Sequence, residues 1–177
     1  GGEGIVYSIN GSNNVYKEFR EDSLEKANKI NSLIQKNINN KYIAIPNAIV
    51  ENNNKIVGFI MPKIEGIEFS KSICLPKPRF EQKLEGYKRE NLLEIALDLV
   101  NKVEELHSKN ILIGDINPNN FMLNKEEKKV YLIDCDSYQV DTFPCPVGTQ
   151  EFTPPELQGV DFRYRLRDLN NELFSLA

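Results

Sequence analysis

One stretch constrains the fold more than any other. Between residues 90 and 109, Leu92, Ala96, Leu99, Val103 and Leu106 recur at helical spacing, and Leu93, Ile95 and Val100 widen the stripe. Apolar residues every third or fourth position over that length describe one long helix. A stripe so wide is expected to be mostly buried, so the rest of the chain must pack around it. The 177 residues are 40% hydrophobic and 27% charged, enough for one domain or two small lobes and too apolar for a disordered chain.

The sequence on either side of that helix differs in kind. Before it, Ile5-Val6-Tyr7 and Val15–Phe19 are β-branched and aromatic runs joined by Gly11-Ser12-Asn13-Asn14, which reads as a hairpin. Asp22 and Glu25 have capping-box spacing, and Leu24, Ala27, Ile30, Ile34 and Ile38 then predict a helix. Two strands follow, Ala48–Glu51 and Ile56–Met61, joined by Asn52-Asn53-Asn54, and Pro62 ends the second. Ser72–Arg79, with Pro76 and Pro78, reads as a connector. After the long helix come a short run Ile111–Ile113, a polar loop Gly114–Asn120 and a strand pair, Phe121–Leu123 and Val130–Ile133. Asp134 to Pro155 reads as loop, and a last helix starts near Asn170. Strands with one helix, then mostly helix with a small hairpin, predict two lobes joined near Met61–Gly66.

Composition closes several doors. With 22 basic and 26 acidic residues the net charge is −4, which argues against a general nucleic-acid clamp. No apolar run approaches the roughly 18–20 residues that span a bilayer, and the first residues have no apolar signal core. Cys74, Cys135 and Cys145 are scattered and His107 is the single histidine, too few ligands for zinc. A reduced, cytoplasmic protein is the expectation. His107 is read as a cation at a helix C-terminus.

Four polar features carry the candidate chemistry. Gly1-Gly2-Glu3-Gly4 precedes a strand, and such a turn lets backbone N–H groups approach phosphates, although a glycine-rich start is also what a flexible tag looks like. Lys17 interrupts an apolar strand, either as a phosphate-gripping charge or as an exposed edge lysine. Asp115 and Asn120 lie five apart with Pro118 between them, and Asp134-Cys135-Asp136 follows an apolar strand. Phosphoryl transfer needs such parts: a carboxylate to orient the attacking hydroxyl, and hard oxygen ligands for magnesium.

In order and separation, GGEGIVY, VYK, LHSKNILIGDINPNN, YLIDCDSYQV and GTQEFTPPE resemble the protein kinase-like superfamily over nearly the whole chain. The latter half is similar to bacterial Ser/Thr protein kinases of the group joined to helix-hairpin-helix modules. The resemblance implies an α+β, bilobal fold truncated at both ends, a fragment of a longer polypeptide. Its N-lobe would span 1–61, its hinge 62–66 and its C-lobe 67–177. It implies ATP and Mg2+ as cofactors and a protein substrate, with no nucleic acid or membrane partner for this segment. Gly1, Gly2 and Gly4 resemble the phosphate-covering loop and Val6 the residue that packs on adenine. Lys17 resembles the phosphate-gripping lysine and Met61 the gatekeeper, with Lys63 and Ile64 in the hinge. Asp115 resembles the catalytic aspartate, Asn120 and Asp134 the two metal ligands. Glu156 would pair with a distant arginine, and Glu172 stands where the next helix usually begins with aspartate.

The lysine's acidic partner has to be sought separately. No Asp or Glu lies between Lys26 and Val50, so the first helix can offer only Glu25, Asp22 or Glu21. Glu25 is favoured, with a capping role as its alternative. Other positions depart from the superfamily pattern. Ile113-Gly114 replaces His-Arg before Asp115, which removes the usual counter-charge to a phosphorylated activation loop, so activity independent of that phosphorylation is expected. Asn117 replaces a lysine that reaches the γ-phosphate, which predicts slow turnover. Cys135-Asp136 replaces Phe-Gly, and Asp136 is read as a solvent-facing or turn-capping acid rather than a metal contact. Gly-Asp-Ile-Asn-Pro-Asn-Asn is also close to the loop of aminoglycoside and choline phosphotransferases, so a small-molecule kinase and a nucleotide-binding pseudokinase are the alternative readings. The Gly148-Thr149 and Pro154-Pro155-Glu156 segment, which those enzymes lack, favours a protein substrate.

Overall fold

In a computed structural model of the chain, residues 4–20 and 23–177 are described. Gly1, Gly2 and Asp22 lie outside them. Two antiparallel hairpins build the first half. β1 (Gly4–Ser8) pairs with β2 (Asn14–Phe19), and β3 (Ala48–Asn52) with β4 (Lys55–Pro62). Asn53 and Asn54 both take positive φ, 51° and 61°, as a tight two-residue turn requires and asparagine tolerates. β2 and β4 pair directly, giving a four-stranded sheet in the order β1-β2-β4-β3.

Helix α1 (Leu24–Gln35) crosses this sheet with Ala27, Lys29, Ile30 and Leu33 buried. The residue that caps it is Ser23, whose Oγ accepts the Lys26 N–H at 3.3 Å. The expected capping by Asp22 and Glu25 starts one residue too early. The helix also stops before Ile38, because Asn37 turns left-handed at φ 51°. Ile38 still packs on the core from beyond the helix end.

The second half is organised by α3 (Arg89–Ser108). Its inward face carries Ile95, Val103 and Leu106 together with Asp98 and Lys102, an ion pair one helical turn apart. Leu93, Leu97 and Val100 are exposed among the described residues, so burial is narrower than the apolar count predicts. A satisfied polar pair occupies inward space that an all-apolar reading assigns to leucines. The supposed connector contains a helix, α2 (Lys77–Lys83), started by Pro76 and Pro78. Proline lacks only an N–H that is unpaired in the first turn anyway, so two prolines can open a helix as well as interrupt one.

β5 (Ile67–Glu68), β7 (Phe121–Asn124) and β8 (Lys129–Leu132) form a three-stranded sheet. The stretch read as continuous loop after Asp134 contains β9 (Gln139–Val140), paired with β6 (Ile111–Leu112), and several single 3-10 turns. Two-residue strands show no periodicity, so they leave no mark in the sequence. The last helix is α4 (Leu169–Leu176), capped by Asp168 and Asn171. One hydrophobic cluster runs through both halves, from Leu33 and Phe59 to Leu106, Leu132 and Tyr138. The segment after α1 joins them: the Ala44 amide donates to the Leu132 carbonyl, and the Leu132 amide to that of Tyr42, both at 2.9 Å. No helix among the described residues is long and apolar enough to cross a membrane.

Candidate active site

Sheet register assembles the first wall of the site. Lys17 on β2 lies opposite Val6 on β1 and Phe59 on β4, and Val15 lies opposite Met61. Cross-strand partners share a face and side chains alternate along a strand, so Val6, Val15, Lys17, Phe59 and Met61 stand on one side of the sheet. Gly4 opens the same edge, and a Cβ there would meet the Glu18 carbonyl oxygen at 2.4 Å. Lys63 donates its N–H to the Asn13 carbonyl at 2.9 Å and its ammonium pairs with Glu65. Both Lys63 donors are therefore engaged, whereas Ile64 packs against the core.

The buried Lys17 ammonium reaches across to the second half. It donates to both carboxylate oxygens of Asp136, at 2.8 and 2.7 Å, and to Oδ1 of Asp134 at 3.1 Å. Burial alone would lower the Lys17 pKa, but the two carboxylates outweigh it and hold it above the ordinary 10.5, so the ammonium stays charged. This overturns two sequence expectations. Asp136 is buried against Lys17, not solvent-facing. Glu25 is exposed on α1 and lines a cavity of about 450 Å³ beside residues 143–146; it does not pair with Lys17. The inward position of α1 holds Lys29, which donates to the carbonyls of Ser137 and Pro144 at 2.9 Å. The sequence held the signal in the acid-free stretch from Lys26 to Val50 and the second acid of Asp134-Cys135-Asp136.

Asp134 takes a left-handed conformation, φ 57°, which Asp tolerates better than most residues, and a 3-10 turn over Cys135–Ser137 follows at once. The Ser137 N–H and Oγ both bond the Asp134 carbonyl, at 3.0 and 2.8 Å. Cys135 is fully buried, and burial pushes its thiol pKa, like that of Cys145, above the ordinary value, so neither is a nucleophile.

Asp115 is held from two sides. Its Oδ1 accepts the Thr149 N–H at 2.7 Å and Oγ1 at 2.8 Å. Its Oδ2 accepts Nδ2 of Asn117 at 3.0 Å and of Asn120 at 3.3 Å. The Asn120 amide also donates to the Asp115 carbonyl at 2.8 Å, which leaves its Oδ1 without a described donor. The Ile133 N–H bonds the Asn120 carbonyl at 3.1 Å, placing Asn120 beside the strand end that presents Asp134. The Asn120 amide oxygen and the Asp134 carboxylate, whose Oδ2 has no described partner, are hard oxygen donors of the kind Mg2+ takes, commonly one or two from protein with the rest from phosphate and water. No cluster of three His, Cys, Asp or Glu that would cage a metal exists among the described residues.

The loop carrying Asp115 rests on α4. The fully buried Glu172 accepts the amides of Ile113 and Gly114 at 2.7 and 2.8 Å, with His107 Nε2 at 3.2 Å. Gly114 has φ 76°, and a Cβ there would fall 2.5 Å from that of Cys145. The room left by Gly114 and Gly148 holds the buried Arg167 guanidinium, which lies over the Phe162 ring at 3.6 Å. Arg167 donates to the carbonyls of Cys145 at 2.9 Å and Val147 at 2.7 Å, two residues before Thr149. Sequence reading passed over Arg167, because nothing local marks an arginine destined for burial. Glu156 meets Asn171 at 3.2 Å rather than an arginine among the described residues.

No protein-family model matches the chain. It is 35% identical over 143 residues to the proteins named protein kinase YegI in two Escherichia coli strains, covering 77% of this chain and 22% of theirs. The chain thus spans under a quarter of the length of these curated relatives. Among solved structures, the PK-1 kinase of Cydia pomonella granulovirus superposes with a TM-score of 0.65 at 16% identity, over 97% of this chain and 60% of that one. At that identity the likeness concerns the fold alone, and the fold agrees with what the YegI relationship indicates in sequence. By that relationship, the shared architecture and the placement of its polar residues, this chain belongs to the protein kinase-like superfamily.

Proposed function

We propose that the chain is an ATP- and Mg2+-dependent protein kinase domain that transfers the γ-phosphoryl group to Ser or Thr hydroxyls of a protein. Residues 1–61 and 67–177 form its lobes and 62–66 its hinge. The observation that carries this reading is the pair of hydrogen bonds that Thr149 donates to Asp115. It joins the segment that shapes a peptide platform to the carboxylate that meets the attacking hydroxyl. A domain built only for a small alcohol does not need that connection.

The geometry supports the following roles. Val6, Met61 and the backbone at Ile64 receive adenine. Gly4 brings its strand edge close to the phosphates, and Lys17 neutralises charge on them. Asn120 and Asp134 would hold Mg2+, which would supply positive charge against that of the phosphates. Asp115, with Oδ1 fixed by Thr149 and Oδ2 by two amides, orients the hydroxyl and accepts its proton. The hydroxyl oxygen forms a bond to the γ-phosphorus as the bond to the β–γ bridging oxygen breaks, and ADP leaves with that electron pair. Asn117 fixes Asp115 but brings no positive charge, which supports slow turnover.

Phosphorylation of the activation segment is not required on this reading. Arg167 already binds the segment's carbonyls directly. The hydroxyls of Ser137, Tyr138, Thr149 and Thr153 are engaged within the fold, whereas Thr142 is exposed. Thr142→Ala is expected to keep turnover within about twofold of the parent protein. The three free thiols support a reducing, cytoplasmic setting.

The test is transfer of label from γ-radiolabelled ATP with Mg2+, with Asp115→Asn and Asp134→Asn alongside. Label on protein that both variants abolish supports the proposal. Label only on an aminoglycoside, choline or a sugar would replace it with a small-molecule kinase. ATP binding without transfer would replace it with a pseudokinase.

A further inference from the structure

We infer that Asp136 is the positioning residue for Lys17, doing from the Asp134 turn what an acid on α1 would otherwise do. The inference rests on the kinase reading above and deepens it. Lys17 Nζ has two carboxylate partners, and the closer is Asp136, which presents both oxygens. The side chains of Lys17 and Asp136 are only 5% and 6% exposed, whereas that of Asp134 is 43% exposed. The partly exposed Asp134 can therefore turn to a cation while Asp136 keeps Lys17 in place. Helix α1 shows no acid among its buried residues, and Glu25 is exposed.

The arrangement has a mechanical consequence. The acid that orients the lysine and the acid that holds the metal sit two residues apart on one hydrogen-bonded 3-10 turn. They form a single rigid part. Helix α1 supplies anchorage instead: Lys29 grips the turn at Ser137, while Ser32 and Lys36 bind Asp141. A swing of α1 would then not break the Lys17 ion pair directly.

The experiment is a double-mutant cycle on Mg-ATP-dependent transfer with Lys17→Met, Asp136→Asn and the double variant, plus Asp136→Glu and Glu25→Gln. Asp136→Asn is expected to lower kcat/KM by about 10–100-fold, the usual cost of losing an outer-shell orienting group. If Asp136 acts through Lys17, the double variant loses no more than Lys17→Met alone, and Asp136→Glu recovers part of the rate. Glu25→Gln stays within about twofold. A purely structural role would make the two losses multiply and would overturn the inference. So would a loss in Glu25→Gln as large as in Asp136→Asn.

Melting the same proteins without nucleotide gives an independent readout. Removing either charge alone lowers Tm, and removing both restores part of the loss if the two groups are partners; no restoration contradicts the pairing. This also covers an Asp136→Asn that folds poorly. Absence of transfer by the parent protein would end the kinase reading, while the melting cycle would still decide the ion pair.

Discussion

Two lysine–carboxylate clusters in this molecule use the same chemistry to opposite ends. In one, Lys17 lies between Asp134 and Asp136. In the other, Asp98 lies between Lys102 and Lys129 and also accepts the Val130 amide at 2.8 Å. The first is one cation held by two acids, with one acid half in solvent and an oxygen free of described partners. The second is one acid held by two cations and a backbone donor, tying α3 to β8. On the proposed reading, what separates a reactive cluster from a structural one is not residue type but an accessible acid with unused ligand capacity.

Removing Asp134 should give the largest effect on turnover. Asp134→Asn is expected to cost about a thousandfold in kcat, the scale of losing a preorganised electrostatic group, while Tm moves little because the turn keeps its backbone bonds. The opposite split is expected for Asp98→Ala. Leaving Lys102 buried without its acid costs about 3 kcal/mol, which lowers Tm by roughly 6–12 °C for a chain of this size. Its kcat below the transition should match the parent protein. A matched pair of thermal melts and rate measurements checks both, and equal behaviour of the two variants would erase the distinction.

Arg167→Met sharpens the comparison from a third site. It frees the carbonyls of Cys145 and Val147, loosens the path to Thr149 and should lower kcat about tenfold with ATP KM nearly unchanged. Steady-state kinetics with varied ATP separates the two parameters.

The smallest expected effect is on acid stability. Burial raises the Asp98 pKa, but Lys102, the Val130 amide and Lys129 outweigh that and hold it below the ordinary 3.8. A carboxyl lowered on folding stabilises the protein above its unfolded value, and that contribution fades as pH falls through the folded value. Asp98→Asn should therefore flatten the loss of stability below about pH 4, read by denaturant titration across pH.

Much of this was legible in the sequence. The hairpins announced themselves through alternating β-branched runs and the Asn53-Asn54 turn, and α3 through its periodicity. Asp115, Asn120 and Asp134 stood out because polar residues clustered just beyond apolar runs. What escaped is instructive in physical terms. α2 hid behind two prolines that suit a first turn. The inward Asp98–Lys102 pair hid inside a stripe whose leucines were assigned to the core. Asp136 looked like a surface acid, because burial of a charge depends on a partner 119 residues away. Arg167 depends on the absence of side chains at Gly114 and Gly148, and a missing side chain carries no pattern.

Calorimetric titration of ATP, with and without Mg2+, into the parent protein and Asp134→Asn goes to the heart of the matter. If Lys17, Asn120 and Asp134 form one nucleotide–metal site, Mg2+ should tighten ATP binding at least about tenfold in the parent protein and leave it unchanged in Asp134→Asn. Folded parent protein that ignores ATP, or that binds it equally well with and without Mg2+, would contradict the site described above.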